Sequence, residues 1–319
     1  MPAHWSEIHT DVPLSEFSRA FMNESFVADL VCPPVTVSKD SDKYYIYGTE
    51  DIKHIDTLRA AKTPSKGITR TLSTSTYFCN PHALHELVDD KDRQNADAAI
   101  DPDMDAVEGA MELMAINKER EVATLFTTEG NYSSATYYET LVGGDQWNDP
   151  GGISSPITKI NAAKGVVYNG CLKAANAIVI PYDVALALDK HPEVVDRLKY
   201  VGQANLSSGV QMLADKLSAV FGLQVFVPVS AYDTTRQGQS GSTFSAIWSD
   251  FCIVFYLAPT VGRKSIAFAK NFSRGTTFVN RIPQPDLGNN TEKIEVNDPG
   301  RDPKIITNTA AYLFSDTLV

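Results

Sequence analysis

Asn176-Ala177-Ile178-Val179-Ile180-Pro181-Tyr182-Asp183-Val184-Ala185-Leu186-Ala187-Leu188-Asp189-Lys190-His191-Pro192-Glu193-Val194 encodes a strand, a helix and the start of a second helix. Ala177 to Ile180 is short, apolar and partly β-branched, which suits a buried strand. Pro181-Tyr182-Asp183 starts a helix that ends near His191-Pro192. A proline inside a helix lacks the donor and crowds the preceding turn, whereas in a first turn it costs nothing; Pro192 therefore starts another helix running towards Tyr200.

Outward from this stretch the alternation continues. Pro156 to Lys173 reads as a helix, and Ser207 to Phe221 as an amphipathic one carrying Val210, Leu213, Ala214, Leu217, Ala219, Val220 and Phe221. Gln224 to Val229 and Phe251 to Leu257 are strand candidates. After Gly143-Gly144-Asp145 the chain thus predicts a compact α/β unit.

Upstream, Asp101-Pro102 is a strong helix start, with a capping carboxylate followed by proline at the first helical position. Val107, Met111, Met114, Val122, Leu125 and Phe126 form one drifting apolar face with no proline through Phe126. Such a helix would measure roughly 37 Å at about 1.5 Å per residue, the length of a structural spine. Before it, Tyr44-Tyr45-Ile46-Tyr47 and Ser73-Thr74-Ser75-Thr76-Tyr77-Phe78 are strand-forming ends of a segment whose polar middle holds Pro64 and Gly67. They predict a projecting two-stranded arm, marginal by itself in water. Phe26 to Val37, broken by Pro33 and Pro34, predicts an edge or crossing strand. Met1 to Glu24 reads as an extended arm. From Ser265 the chain predicts short strands separated by Pro283, Pro285, Asp298-Pro299-Gly300 and Pro303, so the two ends are expected to share a domain.

Composition bounds the function. The chain has 319 residues, 43% hydrophobic and 21% charged, with a net charge of −11. It is expected to fold as an ordinary globular protein, to carry no secretory leader or membrane span, and not to grip nucleic acid with its whole surface. Cys32, Cys79, Cys171 and Cys252 are too widely spaced for a zinc ribbon or redox pair and are expected to be buried thiols.

The chemical motifs are incomplete. In His82-Ala83-Leu84-His85-Glu86 the carboxylate follows the second histidine, unlike a zinc-hydrolase signature. Gly238-Gln239-Ser240-Gly241-Ser242 lacks the final glycine of a nucleophile elbow and reads as a flexible loop. Gly143-Gly144 and Gly151-Gly152 lack the spacing of a nucleotide-binding loop, and the run from Asp89 to Asp105 lacks the glycine and glutamate of an EF-hand. No catalytic residue, metal ligand or cofactor is predicted.

Phe26-Val27-Ala28-Asp29 with Pro33, and the stretch from Asn176 to Val194, resemble the major capsid protein family of tailed phages, whose fold is named after bacteriophage Hong Kong 97. The resemblance spans nearly the whole chain. It implies an α+β Hong Kong 97-like fold: an N-terminal arm (1–24), an entry strand of the peripheral domain (25–42), an E-loop (43–78), a peripheral domain holding the spine helix (79–145 and 265–319) and an α/β axial domain (146–264). The function it implies is non-enzymatic: pentamers and hexamers close into an icosahedral head, assembled in the host cytoplasm around double-stranded DNA that is not read by sequence. A portal protein is an implied partner. The type member's long helical segment before the arm has no counterpart here, which implies either a separate scaffolding protein or a precursor already trimmed and renumbered, and Met1 favours the separate scaffold. Encapsulin nanocompartments, of the same fold, are the rival reading, and a soluble α/β enzyme is a rival from another class.

Some relatives join an E-loop lysine to a neighbour's asparagine. Lys62 and Lys66 lie near the loop tip here, but no motif marks the partner asparagine, and non-covalent closure is expected. From Lys43 to Phe78 the chain carries six basic and three acidic residues, net +3; from Glu86 to Glu112 it carries ten acidic and two basic, net −8. The predicted intersubunit contact therefore sets Arg59, Lys62, Lys66 and Arg70 of one loop against Asp97, Asp101, Asp103, Asp105 and Glu108 at the start of a neighbour's spine.

Overall fold

The computed structural model describes residues 9–10, 26–46, 54–60, 62–67, 73–96, 101–148, 154–199, 209–235, 239–259 and 266–318. In chain order the elements are β1 (His9–Thr10), α1 (Ala28–Val31), β2 (Pro34–Thr36), β3 (Ser41–Ile46), β4 (Ser73–Phe78), β5 (Asn80–Val88), α2 (Asp90–Asn95), α3 (Pro102–Thr127), β6 (Tyr138–Thr140), α4 (Pro156–Cys171), β7 (Ala177–Val179), α5 (Tyr182–Lys190), α6 (Pro192–Leu198), α7 (Val210–Phe221), β8 (Gln224–Phe226), β9 (Ala231–Asp233), β10 (Phe244–Ala246), β11 (Phe251–Phe255), β12 (Ala269–Ser273), β13 (Phe278–Pro283), β14 (Glu292–Ile305) and β15 (Ala311–Ser315).

The expected spine is α3, one residue longer than its predicted end. The Asp101 carboxylate caps it by accepting from the Asp103 and Met104 amides at 3.1 and 3.4 Å. The helix bridges two cores. Val107, Ala110 and Met114 in its first half pack on Val279, Ile294 and Val296, while Val122, Ala123 and Phe126 in its second half pack on Phe255, Phe268 and Leu313.

A five-stranded sheet of order β6-β15-β11-β7-β8 forms the second of these supports. Its central β11 is buried on both faces: Phe251, Ile253 and Phe255 point to the spine side, and Cys252 and Val254 to a core with Ile178, Leu188 and Leu217. The stretch from Asn176 to Val194 delivers the expected strand and two helices. Because β7 and β8 are parallel, the chain must cross over through α5, α6 and α7 before pairing again. Residues 207–208, expected at the start of α7, lie outside the described residues. Two members of this sheet, β6 and β15, come from outside the 146–264 segment.

The other large sheet has the order β1-β13-β14-β12-β2, with β5 also pairing β14. Strands from both ends of the chain therefore interleave in it. Two sequence expectations need correction here. Phe26 to Val37 is not one extended stretch, since Ala28–Val31 makes a helical turn before the edge strand Pro34–Thr36. The turn forms because a carboxylate distant in sequence, Glu119, accepts the Val27 and Ala28 amides at 3.0 and 2.8 Å. Likewise Asp298-Pro299-Gly300 and Pro303 do not separate strands. They lie within the 14-residue β14, whose pairing with β5 shifts register between Asp298 and Arg301. At that bulge Gly300 has φ of 154° and its α-carbon meets Cys79, where a side chain would come within 2.9 Å of the Cys79 Cβ. Met1 to Glu24 lies outside the described residues apart from β1, which pairs with Arg281 and Asn280.

Candidate assembly surfaces

The expected arm is an antiparallel hairpin, paired from Ser41↔Phe78 to Ile46↔Ser73 and joined to no third strand among the described residues. Its base is locked to the body. Tyr77 stacks on Phe272 with centroids 4.6 Å apart, and Tyr44 meets the same ring at 5.1 Å. The Phe78 amide donates to Asp302 at 2.8 Å, the Cys79 amide to the Asp40 carbonyl at 2.8 Å, and Arg274 pairs with Asp40 at 2.7 Å. Beyond this base the described residues of the limb, 54–60 and 62–67, are all exposed, with Leu58 81% accessible. A firmly held hairpin thus carries an outer limb whose described residues are left uncovered by the other described residues.

The basic residues expected on that limb have different fates. Arg59 and Lys62 are exposed, and Lys62 adopts a left-handed conformation at φ 67°. Lys66 reaches back to the Asp56 carboxylate at 3.3 Å and its carbonyl at 2.9 Å, while Arg70 lies outside the described residues. Of the acidic set, Asp97 also lies outside them, and Asp101 serves as the spine cap. Asp103 is only 14% exposed and is held by Arg93 at 3.0 Å and Arg281 at 2.7 Å, with Glu292 completing the cluster. Asp105 and Glu108 are exposed on the first turns. Among the described residues no ion pair joins the basic set to the acidic set, and Arg59, Lys62, Asp101, Asp105 and Glu108 are exposed members of the two sets.

Sequence reasoning missed the residue on which these surfaces hang. Glu119, fully buried in mid-spine, accepts from Val27 and Ala28 and also from the Trp248 indole at 2.6 Å. One carboxylate therefore fastens the chain leading from the N-terminal arm and the β10–β11 corner to the same helix. Burial pushes its pKa up, against the lowering effect of the three donors. Its only sequence signal is a charge on the apolar side of the spine. Arg301, also buried, binds Glu121 at 2.9 Å and Asp298 at 3.2 Å and clasps the β14 bulge to the spine.

No protein-family model matches the chain. It is 26% identical over 283 residues to the major capsid protein of Pseudomonas phage JBD67, a match covering 87% of each chain. The chain is a relative of the phage major capsid proteins. Solved structures agree in fold: a phage-related protein of Bordetella bronchiseptica RB50 superposes with a TM-score of 0.74 at 21% identity, covering 97% of both chains. The capsid of cyanophage P-SCSP1u gives 0.60 at 9% identity, over 93% of this chain and 89% of that one.

The motifs outside the capsid resemblance are absorbed structurally. His82 and His85 lie on β5, and no group of three metal-ligating side chains occurs among the described residues. Ser154 Oγ lies 3.0 Å from His191 Nε2, which superficially suggests a nucleophile and base. However, His191 Nδ1 accepts the Glu193 amide at 3.2 Å and caps α6, so in the neutral ring Nε2 carries the proton. Burial lowers the His191 pKa and favours that neutral form, which donates to Ser154 and cannot take its proton. Gly238 lies outside the described residues, and 239–243 turn between β9 and β10. No helix among the described residues is long and apolar enough to cross a membrane.

All four cysteines are free, buried and pushed to higher pKa by burial. The capsid relative is therefore expected to resist iodoacetamide when native and to take up four labels in denaturant, as read by intact mass. Labelling of native protein at the denatured rate would contradict this.

Proposed function

We propose that this chain is the principal shell subunit of a tailed-phage head, assembling through pentamers and hexamers around double-stranded DNA. The observation that carries the reading is whole-length likeness to a phage major capsid protein, covering 87% of both chains. The firmly anchored hairpin, whose outer limb is exposed among the described residues, supports it, because such a limb is marginal alone and gains stability from a neighbour. The protein acts through assembly rather than catalysis. A cargo-enclosing nanocompartment is the less favoured reading, since the curated relative is named for a phage capsid. A separate scaffolding protein and a portal are the partners expected with it, and no protein–protein cross-link is required.

In the shell, the basic limb lies across the acidic first turns of a neighbouring spine. Asp105 and Glu108 are exposed and available there, whereas Asp101 is used as the spine cap and Asp103 is already engaged by two arginines. Exposed pairs contribute about 0.2 to 1 kcal/mol each, so they guide register and closure more than they add affinity.

The test is electron microscopy of particles formed with scaffold present. Wild type should give closed shells that run as monomers on denaturing gels. Reversing Arg59, Lys62, Lys66 and Arg70 to glutamate should leave circular dichroism and melting unchanged and reduce shell yield about tenfold. Reversing Asp105 and Glu108 to lysine in the same chain should restore part of it. A wild-type chain that remains monomeric with scaffold rejects the shell reading, and a quadruple variant that assembles normally at low and high salt rejects the charge contact.

A further inference from the structure

Among the described residues, strand β5 has a free edge. Over nine residues, Asn80–Val88, it pairs along one side with β14, which is its only strand partner among the described residues. Along the other side its backbone donors and acceptors have no strand partner among the described residues, and eight of its nine side chains are at least partly exposed, Leu84 at 39% and Leu87 at 47%. A long, apolar strand edge is a template for another strand and is normally blunted or covered. Here Pro81 withdraws one donor near the start, and the edge from His82 to Val88 carries no lysine and no further proline.

The order of side chains identifies the partner. His82, Leu84 and Glu86 alternate onto one face of β5, the face shared with Ile294 and Val296 beneath the spine. If two β5 strands lie antiparallel with Leu84 opposite Leu84, each His82 stands opposite the other copy's Glu86. Pro81 then faces Leu87, and Ala83 faces His85. A two-fold axis perpendicular to the sheet keeps both spines on the same side, so donor and acceptor meet twice in one isologous contact. His82 Nε2 lies 3.9 Å from Glu121 on its own spine, beyond hydrogen-bond distance.

We propose that β5 is a two-fold contact strand, which joins the six-stranded sheets of two copies of this chain edge to edge, centred on Leu84. The inference rests on the shell reading and adds a second contact to it, distinct from the hairpin-to-spine contact. It places the E-loop base, one residue before β5, beside the joint, so both contacts are tied to the same stretch of chain.

Leu84→Cys tests the geometry. The two new thiols would face each other across the axis, and the four native thiols are buried and leave little background. Oxidised particles of this variant should run mainly as disulfide dimers, while wild type stays monomeric. Closed particles that stay monomeric overturn the inference and leave the shell reading standing. A charge-swap series covers failure of that variant to assemble: Glu86→Lys should cut particle yield about tenfold, and adding His82→Glu should recover it to within about threefold. Normal assembly of Glu86→Lys, or no recovery in the double variant, overturns the proposal. If wild type forms no particles, the shell reading fails, and oxidation of concentrated soluble Leu84→Cys decides alone: a dimer supports the paired edge and its absence rejects it.

Discussion

A Glu119→Ala subunit is expected to be about 3–5 kcal/mol less stable than wild type in urea unfolding, because three buried donors lose their acceptor at once. Each orphaned donor costs about 1–3 kcal/mol, with some relief where water enters the space left by the side chain. A loss below about 1 kcal/mol would show that the three hydrogen bonds do not organise the fold as the geometry indicates. Glu119→Gln should fall between, since the amide oxygen still accepts but its NH2 group confronts at least one donor. The pH dependence has a definite sign. The folded state raises the Glu119 pKa, so the folded chain holds this proton after the unfolded chain has released it near pH 4.3, the ordinary glutamate value. Glu119 therefore favours folding most below that pH, and its contribution declines as pH rises towards the raised folded value. The Gln variant should lack this component of the stability profile, which distinguishes titration of Glu119 from the other carboxylates.

Gly170→Ala should cost about 3 kcal/mol, while Gly165→Ala in the same helix should be neutral or stabilising by up to about 1 kcal/mol. A β-carbon at Gly170 would fall 2.5 Å from the Thr309 carbonyl oxygen and 2.9 Å from the Tyr137 ring, and a backbone oxygen cannot rotate aside. At Gly165 nothing lies within 4 Å, so alanine there gains only helix propensity. The same approach places the Thr309 hydroxyl to donate to the Gly170 carbonyl at 3.1 Å, tying α4 to the turn before β15. Thermal unfolding of the two single variants checks the pair. Equal melting temperatures would mean that the 309 turn yields freely, and that α4 does not depend on this contact.

The elements legible in the sequence are those whose cause is local. Asp101-Pro102 specifies a helix start through a side chain and a ring acting within one turn, and the cap forms as expected. Tyr44 to Ile46 and Ser73 to Phe78 pair as the predicted hairpin, and Ala177 to Val179 becomes a strand buried on both faces because its side chains are apolar throughout. The whole-length resemblance to phage capsid proteins was legible for the same reason, being carried by a succession of such elements. The candidate contact was less so: its charge blocks are visible in the sequence, but which members remain exposed is not.

What tertiary structure alone decided depends on partners far along the chain. Ala28–Val31 turns into a helix because Glu119, some ninety residues later, accepts its amides. Pro299 and Pro303 remain within a continuous strand because Gly300 nests against Cys79 and Arg301 reaches Glu121. Asp103 is engaged by Arg93 and Arg281 instead of waiting for a neighbour, and β5 acquires its free edge from the order in which six strands from both chain ends assemble. Local propensity amounts to tenths of a kcal/mol per residue, whereas satisfying a buried carboxylate, guanidinium or amide is worth about a kcal/mol or more. Where the two conflict, the distant partner determines the structure.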